Sequence, residues 1–293
     1  MSIELAKKYA PAVDELFAAE SKLSLLTNTD FDWTGAHSVA VWSVSTVPMN
    51  DYSRNRGSDY DESDASLSRF GKIIDLDAQT QEMLLTRDRS FIFNIDKLDN
   101  DETANQVAAE TALARQIREV VIPEVDVYTY AKMVENAGIK ASAAALTAEN
   151  IYDEITAGTE AMDNAEVPDT ERCIVVTPAA YRLMKKCPDI VLDCDISEEM
   201  RLQGVIAMVD GLTVVKVPAN RLPEGFGFMI AHPSATCAPV KLEDYGTHPD
   251  TVLSSGTIVT GRVCYDAFVL KNKAKAIYYH PVSDTSAVSE TDE

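Results

Sequence analysis

The sequence predicts an α+β fold organised on one long helix. Three observations lead there: a helical stretch from Asp101 to Ala137 that carries apolar residues over several turns, β-prone runs both before and after it, and a block from about 140 that alternates helix and strand. A helix of that kind needs partners along its length, and only segments on both sides of it in sequence are available to supply them.

The first segment, 1–35, reads as an amphipathic arm. Leu5, Tyr9, Val13 and Leu16 or Phe17 share a helical face, Pro11 interrupts it, and Lys7, Lys8, Asp14 and Glu15 are left to solvent. Such a segment is too small to make a core of its own, so its apolar face must lie on the body of this chain or of another copy.

In 36–95, His37 to Val47 alternates with period two, and a second β-prone run follows at Phe91 to Ile95. Between them, Met49 to Arg89 is polar and highly charged. A structureless insertion of that size is improbable inside a compact domain, so an extended two-stranded loop is expected. Its charges are segregated: Arg54 and Arg56, then Asp59, Asp61, Glu62 and Asp64, then Arg69 and Lys72. These residues are candidates for contact with a neighbouring subunit, where the basic ones would meet acids such as Glu110 and Glu119 on the exposed side of the long helix.

The helix itself occupies 96–139. Leu113, Ala114, Ile117, Val120 and Val121 follow one face and are expected to be buried. Asn100 or Asp101 is placed to cap its start, with Glu102 at the positive end of the dipole. Pro123 is expected either to kink it or to open a second helix, Glu124 to Ala137, which Gly138 ends.

In 140–256 a helix is expected from Leu146 to Ala165, capped by Thr147, with Ile151, Ile155 and Met162 buried. Cys173 to Val176 reads as a buried strand, and Thr177-Pro178 starts a helix that Pro188 stops. Asp210-Gly211 is the clearest hairpin turn of the chain, between Val205 to Val209 and Leu212 to Val217, and Phe226 to Ala231 is a further strand. The segment 257–280 reads as two strands turning at Lys271-Asn272-Lys273 and packing as a sheet on the long helix. The tail 281–293 is acidic and without a base.

Composition narrows the function. With 293 residues, 46% of them hydrophobic, the chain is ordinary globular material. No run approaches the length of a membrane helix and the N-terminus lacks the apolar core of a signal peptide, which suggests a product made in a cytoplasm. Five cysteines, an odd number with no CxxC pair, read as buried thiols. The formal charge of −21 disfavours a nucleic-acid reader but suits a container wall that should not adhere to its contents.

Catalytic signatures are sparse. Asp96, Asp99, Asp101 and Glu102 resemble a hard-cation loop in composition but lack its central Gly and distal Glu, so they read as a helix start, with a metal-dependent hydrolase as the remote alternative. His37, His232, His248 and His280 have no metal-binding spacing, Gly225-Phe226-Gly227 lies within a strand pattern, and there is no nucleophile elbow. No catalytic, cofactor or metal residues are nominated and no cofactor is expected.

The order of parts, and several words along it, resemble a known family. Lys8-Tyr9, Val13-Asp14-Glu15 and Ser21; Phe91 to Lys97 before Asp101-Glu102-Thr103; Pro123-Glu124-Val125-Asp126; Val209-Asp210-Gly211; Val217-Pro218 with Arg221-Leu222-Pro223; and Gly261-Arg262 with Asp266-Ala267-Phe268 are similar to major capsid proteins of tailed bacteriophages, from phages and prophages of low-GC Gram-positive bacteria. The resemblance implies the Hong Kong 97-type fold. In it 1–35 would be the N-arm, 36–95 the extended E-loop with its base strands, 96–139 the spine helix of the P-domain, 140–256 a mixed α/β A-domain, 257–280 P-domain return strands and 281–293 a tail.

The function so implied is a non-enzymatic shell subunit. It would self-assemble into hexamers and pentamers around packaged double-stranded DNA, in a virion assembled in the cytoplasm of a bacterial host. The implied partners are further copies of itself, a portal and a separate scaffolding protein (the arm begins close to Met1), with a decoration protein as an optional further one and no membrane. An encapsulin-like compartment shell is the alternative in the same fold.

Overall fold

The computed structural model describes residues 21–28, 30–31, 38–44, 46–52, 67–68, 70–72, 75–76, 78–97, 109–187, 205–249 and 255–283. The chain divides into two compact units: a body of Met1–Gly35 with Leu85–Glu293, and a second unit, Ala36–Leu84.

The second unit is a two-stranded ribbon. Strand β1 (Ser38–Val44) pairs antiparallel with the strand Ala78–Leu84 over its whole length, from Ser38 opposite Leu84 to Val44 opposite Ala78. Between them lies a tight hairpin of β2 (Leu67–Ser68) and β3 (Gly71–Lys72), and the long strand is β4 in chain order. The two-stranded loop expected from the sequence is present. Its partner strands are, however, both inside Ala36–Leu84, because the β-prone run at Phe91 belongs to β5 (Arg87–Asp96) of the body.

In the body, β5 is the edge of a three-stranded antiparallel sheet with β13 (Gly256–Tyr265) at its centre and β12 (Val240–Pro249) beyond. Gly261 lies at the centre of this sheet because the Phe91 ring crosses it. A Cβ there would come within 2.3 Å of that ring, which stacks between Phe93 and Tyr245 at 6.2 Å each.

The long helix runs as α1 (Ala109–Gln116), one wider π-type stretch (Ile117–Val121) and α2 (Ile122–Glu135). Pro123 lacks the N–H that an α-turn would need; the wider turn just before it, closed by Ile122 N–H donating to Ile117 O, lets the helix continue into α2. Gly138 follows the helix for a different reason than a left-handed cap. Its N–H donates to Ala274 O at 2.9 Å and a Cβ would meet the Ala274 backbone at 2.5 Å.

The expected buried face is displaced. Ala114 and Val120 are exposed, and Leu113, Ile117 and Val121 are only half-buried, whereas Asp126, Thr129, Tyr130 and Met133 of α2 are buried. Burial follows the partners of α2, and two of its four buried residues, Asp126 and Thr129, are polar, which the periodicity of apolar residues cannot register.

The larger sheet has six strands: β6 (Ile139–Lys140), β15 (Ile277–Pro281), β10 (Phe226–Ala231), β7 (Cys173–Val176), β9 (Leu212–Lys216) and β8 (Val205–Val209), in that spatial order. Both faces are covered, so β7 and β10 read as unbroken apolar runs. On one face Cys173, Val175, Met229, Ala231 and Tyr279 pack with Tyr130 and Met133 of α2 and with Leu23 and Leu26. On the other, Ile174, Val176, Phe228, Ile230 and Tyr278 pack under α3 (Ile151–Asp163) and α4 (Pro178–Met184). Ile151, Ile155 and Met162 are the buried face of α3, as their spacing predicts.

That helix starts at Ile151, after a turn in which Thr147 and Asn150 bond each other reciprocally at 2.7 and 3.3 Å. Thr177 caps α4 by accepting from Ala180 N–H at 3.1 Å. Asp210 and Gly211 take φ of 50° and 73°, as the hairpin between β8 and β9 requires.

The last strands depart from expectation. After β13 the chain makes β14 (Phe268–Val269), which pairs with β11 (Thr236–Cys237), then a 3-10 stretch at Lys271–Ala276. It emerges as β15 between β10 and β6, so 257–280 is not one hairpin but a crossing from the smaller sheet to the larger one.

Candidate assembly surfaces and internal anchors

Among the described residues no group of three His, Cys, Asp or Glu is placed to hold a metal ion. Asp96 ends β5 opposite Gly256; Asp99, Asp101 and Glu102 lie outside the described residues. The histidines do structural work. His232 accepts from Ser234 N–H at 3.2 Å, and burial lowers its pKa. Buried His280 stacks on Phe228 at 5.0 Å and faces Glu154 at 3.2 Å, while exposed His248 meets Thr260 at 3.2 Å; His37 is outside the described residues. Cys173, Cys187 and Cys237 are buried thiols and Cys264 is half-buried.

Three carboxylates tie distant segments of the body together. Asp266 is buried and accepts four hydrogen bonds, from Thr86 N–H at 2.9 Å, Thr86 Oγ1 at 2.8 Å, Tyr128 Oη at 2.8 Å and Ala267 N–H at 2.8 Å. It thus fixes the beginning of the β5 region to α2 and to the end of β13. Glu124 Oε1 accepts from Arg89 at 2.7 Å and from Tyr265 at 3.2 Å, joining α2 to two strands of the smaller sheet.

Asp126, 2% exposed, accepts from Ser21 Oγ at 2.6 Å on one oxygen and from Arg221, 4% exposed, at 2.6 Å on the other. Burial pushes the Asp126 carboxyl above its ordinary value, against the opposing pull of Ser21 and Arg221; burial and the Asp126 charge raise Tyr130 beside it. Ser21, Asp126 and Arg221 come from three of the sequence words quoted above. Their convergence across 95 and 105 residues was not visible in the chain.

The remaining surface feature is apolar. Seven of the eleven exposed large hydrophobic residues among those described lie in the ribbon, led by Met49 at 99%, Phe70 at 77% and Trp42 at 69%. Tyr52 meets Phe70 edge-on at 5.0 Å, and among the described side chains of the ribbon only Met83 is buried. Of the charged contact candidates, Arg54, Arg56, Asp59, Asp61, Glu62 and Arg69 lie outside the described residues. The backbone of Lys72 pairs with Leu67, and Glu110 is exposed on the first turn of α1. Glu119 corrects its expectation: it is half-buried, with Oε1 shut away from solvent, in the π-type stretch.

The arrangement of a two-faced six-stranded sheet, a long helix with a three-stranded sheet, and a two-stranded ribbon is shared with solved phage capsid structures, so the fold is that of tailed-phage major capsid proteins of the Hong Kong 97 type. The solved structures similar to this chain include one described as Mycobacterium phage Che8, at 18% identity and TM-score 0.66, covering 96% of this chain and 98% of that one. Another is the capsid structure of cyanophage P-SCSP1u, at 13% identity and TM-score 0.69, covering 96% and 94%. A virus-like particle from Pyrococcus furiosus is also similar, at 11% identity and TM-score 0.52, covering 89% and 92%. No family model matches the sequence, and no curated protein does.

Proposed function

We propose that this protein is the major capsid protein of a tailed phage. Copies of it assemble as hexamers and pentamers of an icosahedral shell in the bacterial cytoplasm and enclose double-stranded DNA. The observation that carries the reading is the pairing of a capsid fold over nearly the whole chain with a ribbon that exposes seven large apolar residues among those described. Exposed apolar area of that kind is what a self-complementary contact buries.

The −21 charge fits a wall that holds nucleic acid without adhering to it, and no helix among the described residues is long and apolar enough to cross a membrane. Within the shell, Arg54, Arg56, Arg69 and Lys72 would meet acids of a neighbour such as Glu110, each exposed pair adding about 0 to 1 kcal/mol on top of the apolar contact. A portal, a scaffolding protein and a decoration protein complete the proposed partners.

The likeness to the Pyrococcus furiosus particle keeps a second reading in view, an encapsulin-like compartment around protein cargo. Electron microscopy of particles purified from expressing cells separates the two. DNA-filled heads with a tail vertex support the phage reading, small closed shells with protein inside support the compartment, and the absence of any particle overturns both.

A further inference from the structure

Four strand ends lie in a row across one end of the larger sheet. Ile277 at the start of β15 is opposite Ala231 at the end of β10, Ala231 is opposite Cys173 at the start of β7, and Cys173 is opposite Thr213 near the start of β9. The segments that enter and leave these strands divide their charge by sign.

On the β15 side the charge is positive. Lys271, Lys273 and Lys275 are exposed along the 3-10 stretch, and the bond from Gly138 N–H to Ala274 O, 2.9 Å, brings exposed Lys140 of β6 beside them. Lys140 Nζ donates to Glu135 O at 2.8 Å, while the Glu135 carboxylate is already paired with Lys132 at 2.7 Å. On the β7 and β9 side the charge is negative: Glu166, Asp169 and Glu171 are exposed before β7, and Asp210 at the turn into β9. The cation of that loop, Arg172, is 2% exposed and turned inward. It pairs with Asp163 at 2.6 Å and donates to Val167 O at 2.6 Å and Pro168 O at 2.7 Å, so it is spent on holding the loop.

Among the described residues Lys273, Lys275, Glu166, Asp169, Glu171 and Asp210 form no ion pair. His232 stands between the two groups, donating its N–H to Ala276 O at 3.0 Å, and the charges of Glu171 and Lys273 both reach its ring. Two strand spacings separate β15 from β7, about 10 Å, which is roughly one screening length at moderate salt. The two signs therefore persist side by side. In a chain of net charge −21 most surfaces of two copies repel, and a cluster of lysines is where one copy can approach the carboxylates of another.

We propose that the lysine side of this sheet end docks on the acidic side of the same sheet end in a second copy. The contact is head-to-tail: each copy offers both halves, Lys273 and Lys275 on one flank and Asp169 and Glu171 on the other, so repetition closes a ring. It rests on the shell reading, which calls for rings of five and six copies, and it names the surface on which they join.

The test compares particle yield at low salt from the full-length chain and three charge variants. Lys273→Glu with Lys275→Glu, and separately Asp169→Lys with Glu171→Lys, should each cut the yield about 10-fold, the factor that turning two exposed pairs from attraction to repulsion gives a contact. All four substitutions together put opposite signs back at the contact and should restore the yield. The melting temperature of the unassembled subunit should stay the same in all three. Wild type that never forms particles overturns the shell reading and this contact with it. Wild-type particles whose yield neither pair of reversals changes, or a combined variant that stays defective, overturn the contact alone. So would a fall in the melting temperature of either reversed subunit, since the charges would then pair within one copy. Particles of normal number that lose only their DNA when the lysines are reversed would overturn it as well, because nucleic acid would be the partner of that flank.

Discussion

The six-stranded sheet and the ribbon of Ala36–Leu84 are both β-structure, yet they solve the problem of apolar residues in opposite ways. In the sheet every residue of β7 and β10 is buried, with Tyr130 and Met133 below and Ile151 and Ile155 above. In the ribbon β1 and β4 are paired along their full length, but Trp42 remains 69% exposed. Strand pairing is present in both, but only the sheet buries whole strands among the described residues. A two-stranded ribbon that leaves most of its described side chains exposed is marginal in water by itself, so the sheet supplies most of the stability of the chain.

The comparison breaks most readily at its stable side. Phe228→Ala removes a fully buried ring that stacks on His280 at 5.0 Å and lies 6.1 Å from Tyr278, and should lower unfolding free energy by about 3–5 kcal/mol in denaturant titration of the isolated chain. Gly158→Val should follow at about 1–3 kcal/mol, because a Cβ at Gly158 already meets Ile230 and Tyr278 at 2.9 Å and would lift α3 from the sheet.

An intermediate case is the outer surface of the smaller sheet, where Arg262 Nε donates to Asp88 at 2.9 Å. The Arg262 hydrogen bond holds the Asp88 carboxyl below its ordinary value of 3.8, so whatever this pair adds is present above that pH and disappears as pH falls through the lowered value. A carboxyl-carbon NMR titration should find Asp88 below 3.8, and Arg262→Gln should return it there.

The ribbon should respond least by the same measure. Trp42→Ser with Phe70→Ser should move subunit stability by no more than about 0.5 kcal/mol while sharply reducing the yield of assembled particles. A large loss of subunit stability would mean that these side chains are already covered within the chain.

What the sequence made legible was local. The spacing of Ile151, Ile155 and Met162, the Asp210-Gly211 turn and the apolar run Cys173–Val176 each fix their own structure within a few residues, and each was read correctly. The failures involve partners far along the chain. Asp126 is buried on α2 because Arg221 answers it from 95 residues away, so the apolar spacing that nominated Leu113 to Val121 pointed to the wrong turns of the helix. Ile277–Pro281 has the strand pattern expected of it, but nothing in that pattern says whether it continues the sheet of β13 or inserts beside β10. Of the charged contact candidates, Glu119 was placed on the exposed side because an ideal helix was assumed; the wider turn at Ile117–Val121 accompanies its partial burial.

The position of β15 has a consequence for the timing of synthesis. This strand is interior to the larger sheet, between β10 and β6, yet it begins at residue 277. A ribosome adding about 5–20 residues per second needs roughly 10–39 s to pass from the end of the ribbon at Leu84 to this strand at Ile277. Until then Phe228, Ile230 and the neighbouring strands lack one flank of their sheet. A nascent chain can therefore present its ribbon long before its body is closed, and the interval between the two is a property of strand order alone.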